Sequence, residues 1–142
     1  QAKTLFPYTT LFRSLKNLKP EERLKQLRDP AVRAKILAEE HTEAMYKRRV
    51  ANFENLYPLG DPPDYEPAPE DSIAARARRV GQEPAAFAYD YLLENDGTAM
   101  LYRPLYNYAD QNHDVLREML LDRDTVPGLS DGGADQRGCA KR

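Results

Sequence analysis

The chain is short of the residues that build stapled or metal-rich proteins. A single cysteine, Cys139, excludes an internal disulfide framework and fits a reducing, cytoplasmic setting. Histidine is almost as scarce, with only His41 and His113 in 142 residues. No apolar run approaches the roughly 20 residues that a membrane helix requires. The amino terminus lacks the charged-then-apolar pattern of an export signal. Charge of one sign is lacking too: 21 basic residues against 23 acidic ones give a formal net charge of -2. Such a balance supplies no field for nucleic acid or anionic lipid. Arg76-Ala77-Arg78-Arg79 and Lys47-Arg48-Arg49 are basic patches, but both fall in helical patterns beside acidic neighbours and read as solvated faces. There is no internal repeat.

What is present is polar and rich in helix signals. Apolar residues make up 41% of the chain, charged residues 31%, and mean hydropathy is -0.77, so material for a self-contained core is thin. Lys19-Pro20-Glu21-Glu22 opens a short helix, since proline suits the first helical position and glutamates complement the positive helix end. Leu24 and Leu27 give that helix an apolar edge. Asp29-Pro30 stops it and caps the next one, expected to run to about Asn55 with Val32, Ile36, Met45, Val50 and Phe53 as a loose stripe. The proline-rich stretch from Leu59 to Pro69 has no periodicity and is expected to be a surface loop.

Asp71 and Ser72 offer caps for a helix through Ile73, Ala74, Ala77 and Val80, ended by Gly81. Glu83-Pro84 starts another, with Phe87, Ala88, Tyr91 and Leu92 at helical spacing, and Asn95-Asp96-Gly97 closes it as a turn. Thr98–Tyr102 reads as a strand, Asp110–Leu121 as a helix and Thr125–Leu129 as a second strand. Strand, helix, strand is one β/α unit and predicts parallel, buried pairing. Tyr102, Tyr106 and Tyr108 are packing residues on this reading.

The apolar run Thr125-Val126-Pro127-Gly128-Leu129 ends in Ser130-Asp131-Gly132-Gly133-Ala134. Asp131 is thereby expected at the carboxyl end of a buried strand, with glycines beyond it that allow a sharp turn. A plain turn is the other reading of Ser-Asp-Gly-Gly. The blocks that precede it are Tyr57-Pro58-Leu59-Gly60-Asp61-Pro62-Pro63-Asp64-Tyr65-Glu66-Pro67, then Leu92-Leu93-Glu94-Asn95-Asp96-Gly97. Tyr102-Arg103-Pro104-Leu105-Tyr106-Asn107-Tyr108-Ala109-Asp110 and Val115-Leu116-Arg117-Glu118-Met119-Leu120 follow. In this order the blocks resemble the N-acyl-D-amino-acid deacylase branch of the metal-dependent amidohydrolases. The resemblance covers roughly residues 15–134 and corresponds to a late segment of such an enzyme.

That resemblance implies an α/β fold, a partial (β/α)8 TIM-type barrel in a helix-rich fragment with about two or three strands. A complete barrel needs about 250 residues. It implies hydrolysis of the amide bond of N-acyl-D-amino acids or related amides by a metal-activated water, with zinc as cofactor. Asp131 matches the family's catalytic aspartate, which takes the proton of the attacking water and returns it to the departing amine. A small-molecule substrate is the implied partner, with neither nucleic acid nor membrane; oligomeric state is left open.

Zinc calls for three or more protein ligands. Neither His41, beside Glu39 and Glu40, nor His113, beside Asp114, forms the closely spaced pair that the family carries on an early strand. Both histidines read as surface or capping residues, and Cys139 has no ligand role. The metal ligands are expected to come from sequence before Leu15, and the isolated chain is expected to be inactive. Asn107 either faces the pocket or organises a turn with Asp110.

Both ends of the chain depart from the family. Thr4-Leu5-Phe6-Pro7-Tyr8-Thr9-Thr10-Leu11-Phe12-Arg13-Ser14 reads like a translated short-read sequencing adapter, its alternative being a β-branched and aromatic strand. Where the family continues Gly-Gly-Ala with histidine, this chain has Asp135. Residues 1–14 are therefore expected to be non-native, 15–134 the amidohydrolase segment and 135–142 a divergent tail. The alternative function is a non-catalytic helical interaction module.

Overall fold

A computed structural model describes residues 14–39, 52–105, 108 and 110–126. Contacts divide the chain into two compact units, Gln1–Leu105 and Tyr106–Arg142. The expected adapter-like segment up to residue 13 and the tail from 135 lie outside the described residues.

The first unit is a set of short helices around one apolar core. A 3-10 turn at Leu15–Asn17 leads into α1 (Pro20–Leu27), with proline at its start and Glu21 and Glu22 in its first turn. Arg23 of α1 folds back on that turn: its Nη2 donates to the Leu18 carbonyl at 2.9 Å and its Nε to the Leu15 carbonyl at 3.3 Å. The Leu15 carbonyl, which also accepts from the Leu18 amide at 3.2 Å, and the Leu18 carbonyl each gain a side-chain donor this way. Asp29 caps α2 (Pro30–Ala38) as its sequence predicts, accepting from the Ala31 and Val32 amides at 2.8 and 3.1 Å.

The expected continuation of α2 to Asn55 does not hold. The helix ends at Ala38, Glu39 is extended, and Phe53–Asn55 is a separate 3-10 turn. Glu39 follows the last helical turn, where the negative end of the helix dipole opposes a carboxylate. Met45 and Val50 lie outside the described residues.

Strand β1 (Tyr57–Leu59) follows, where the sequence predicts no strand. Pro58 hides it, because proline donates no ladder hydrogen bond and counts against strand assignment. From Gly60 to Ala68 the chain is a loop, exposed throughout except for Pro67, and a 3-10 turn at Pro69–Asp71 ends it. Ser72, fully buried, then caps α3 (Ile73–Arg79) by accepting from the Ala75 amide at 3.2 Å. Gly81, at φ +66, stops α3 in a Schellman arrangement: the Gln82 amide donates to Ala77 and the Gly81 amide to Arg78. Val80 is the capping residue and is exposed, so it does not extend the apolar stripe as expected.

Helix α4 (Pro84–Leu92) places Ala88, Tyr89 and Leu92 in the core. Asn95 and Asp96 adopt left-handed backbone at φ 49 and 56, and Gly97 follows at φ 75, so the predicted turn is a left-handed one. Asparagine, aspartate and glycine are the residue types that visit this region at least cost. A Cβ on Gly97 would meet Leu24 Cδ1 at 3.2 Å. The core joins Leu15, Leu27, Ile36, Leu56, Ile73, Ala88, Tyr89 and Leu92.

Strand β2 (Met100–Tyr102) pairs with β1 in antiparallel register, Tyr57 opposite Tyr102, Pro58 opposite Leu101 and Leu59 opposite Met100. The sheet so described has two strands in the order β1-β2. The fold is thus α/β and helix-dominated; β2 pairs antiparallel with β1, while most of the strand expected to lie parallel to it, Thr125–Leu129, is outside the described residues.

In the second unit, α5 (Asp114–Leu121) begins four residues later than predicted. Gln111 is left-handed at φ 58, and Asn112 Oδ1 accepts from the Asp114 amide at 3.0 Å, setting the helix start there. Thr125 is not the start of a strand, because its amide donates to the Asp122 carbonyl at 3.2 Å in a turn that closes α5. The rest of the predicted strand, from Pro127, lies outside the described residues. No described helix is long and apolar enough to cross a membrane.

Candidate functional site

Asp131 lies outside the described residues, as do Asn107, Tyr106, His41 and Cys139. Of the residues weighed for chemistry, His113, Tyr102 and Tyr108 are described. His113 occupies the N-cap position of α5 without a side-chain capping bond. Its ring lies 5.0 Å from that of Tyr108, tilted by 49°. His113, read from sequence as a surface or capping residue, thus holds the capping position. The side-chain bond there comes from its neighbour Asn112, whose amide oxygen accepts from the Asp114 amide in an Asx turn. Tyr102 packs edge-on against Tyr65 at 5.5 Å and 82°, and its hydroxyl donates to the Tyr65 carbonyl at 3.4 Å, in keeping with a packing role.

The first unit assembles its charged residues into clasps. Asp90 of α4 accepts from Arg33 Nε and Nη2 of α2, each at 2.7 Å, and from Gln82 Nε2 at 2.7 Å. Two parallel bonds to a planar guanidinium are the strong geometry for this pair. The Arg33 hydrogen bond holds the Asp90 carboxyl below its usual range, with Gln82 adding to the effect and partial burial opposing it. The bond to Asp90 in turn raises Arg33. One residue away, Tyr89 sends its hydroxyl to the Leu27 carbonyl at 2.8 Å, and burial pushes its phenol up to about 12. Together these contacts join α1, α2 and α4.

A second group surrounds α3. Arg76 and Arg79 reach Asp71 at 3.1 and 3.8 Å, and Arg79 also donates to the Glu70 carbonyl. Arg78 pairs with Glu54 at 2.6 Å, which lowers the Glu54 carboxyl through that hydrogen bond. The basic patch at 76–79 is therefore occupied by acidic neighbours from its own unit, as the alternation of charge in the sequence implies.

A carboxylate fixed by three donors and held ionised, as Asp90 is, serves as an anchor; it lacks a proton to give and its oxygens are engaged. These clasps tie the helices and turns of the unit together. Neither the Arg33–Asp90 bond, spanning 57 residues, nor its Gln82 support carries a sequence signal. Tyr89 did have one, since it and Leu92 recur three apart on the face that Ala88 shares.

Among the described residues no three histidine, cysteine, aspartate or glutamate side chains gather as metal donors. With His113 set against a tyrosine ring at a helix start, the described residues do not fit the zinc that the resemblance implies. Comparison of the chain with protein-family models, with curated proteins and with solved structures finds no match in any of the three.

Proposed function

We propose that the chain is a late segment of an amidohydrolase that cleaves the amide bond of N-acyl-D-amino acids or of related amides, built on a partial (β/α)8 barrel. The observation that carries this reading is the order of motif blocks from Tyr57 to Ala134, which ends at Ser130-Asp131-Gly132-Gly133-Ala134. Asp131 is the one residue assigned to catalysis. As general base it takes a proton from the water that attacks the amide carbon; as general acid it passes that proton to the nitrogen as the carbon–nitrogen bond breaks. An acid and an amine result, and the carboxylate is restored. Zinc, the implied cofactor, would be held by ligands other than those described.

Extending the coding DNA upstream of the adapter-like stretch tests the assignment. A closely spaced histidine pair in the same frame, with isolated histidines after it, is the expected result. In a protein completed with that sequence, Asp131→Asn should lower turnover of an N-acetyl-D-amino acid by about 10²-fold or more. The purified 142-residue chain should retain no stoichiometric zinc by elemental analysis and show no turnover. An upstream frame without histidines, or full activity in the Asp131→Asn protein, refutes the reading.

One observation favours a second reading, a helical interaction module: the described helices of the first unit close around a core of their own. A gene that starts near Leu15 would support the module over the enzyme.

A further inference from the structure

We draw no further inference here: the strongest candidate, the exposed apolar surface of α5 formed by Val115, Met119, Leu120 and Leu121, carries nothing because nothing in the structure shows what covers it.

Discussion

Tyr89→Phe isolates the contact on which the helical unit turns. Leu27 is the last residue of α1, so its carbonyl has no partner within the helix. The Tyr89 hydroxyl supplies one at 2.8 Å, and both residues are buried. Phenylalanine keeps the ring in the core but leaves that carbonyl in a place with little access to water. The cost is about 1–2 kcal/mol at neutral pH, and a domain of this size loses roughly 4–8 °C in Tm per kcal/mol. The same hydroxyl makes the effect dependent on pH. Burial raises the phenol to about 12, above the roughly 10 of an unfolded tyrosine. A group raised on folding contributes stability that is complete below the unfolded value and is lost as pH rises through the folded one. At pH 11 the parent should therefore have lost on the order of 1 kcal/mol that Tyr89→Phe never had. Urea denaturation followed by far-UV circular dichroism, near pH 8 and near pH 11, reads both effects. Tyr57, Tyr91 and Tyr102, also raised by burial, are common to both proteins and cancel in the comparison. The gap between parent and variant should be clear near pH 8 and should nearly close near pH 11. Equal stability near pH 8, or a gap unchanged by alkali, refutes the assignment of this hydroxyl.

Asp90→Asn should cost about 1 kcal/mol in urea unfolding, a modest figure because both ion-pair partners reach solvent. The carboxyl is lowered on folding, so its contribution is present above about pH 4 and lost as pH falls below it; the variant should show a shallower acid limb. Gly97→Ala should lower Tm, because φ +75 disfavours a side chain and the new Cβ would press on Leu24; the expected cost is about 1 kcal/mol or more. Ser72→Ala removes the cap of α3 and should destabilise by about 1 kcal/mol, measured by the urea midpoint, while an unchanged midpoint would show that the Ala75 amide finds another partner.

Local chemistry made much of the helical unit legible. Pro20, Asp29, Ser72 and Pro84 mark helix starts because each acts on the backbone within three residues of itself, and Gly81 marks a stop for the same reason. Asn95-Asp96-Gly97 could be read as a turn because its residue types are those that tolerate left-handed backbone. What escaped depends on partners distant in sequence. β1 is a strand because β2 lies beside it, although Pro58 argues against a strand locally. The Arg33–Asp90 clasp and the Tyr89–Leu27 bond join helices that nothing in the local pattern relates. The end of α2 at Ala38 shows the opposite failure: the loose apolar stripe reads on past Glu39, although the helix dipole opposes a carboxylate there. For the candidate site, the legible part was Asp131 and its glycines, and these lie outside the described residues.

The pairing of β2 bears on how the chain relates to a barrel. Two strands of three residues are marginal by themselves in water. Here they are held by side chains of their own unit: Asn55 Nδ2 donates to the Pro104 carbonyl at 3.1 Å, just past the end of β2, and Tyr65 packs against Tyr102. Ile73 continues the attachment, its amide reaching the Leu56 carbonyl at 2.7 Å immediately before β1. The ribbon therefore ties the start of α3 and the segment after α4 into the helical unit. Barrel strands are parallel and follow one another through crossover helices, whereas β1 and β2 run antiparallel. On the proposed reading, then, the described residues up to Leu105 contribute a helical body with its own core, and strands of the barrel have to be sought outside them. The chemistry assigned to Asp131 would depend on those strands, which explains why a stable helical unit and an inactive isolated chain are compatible expectations.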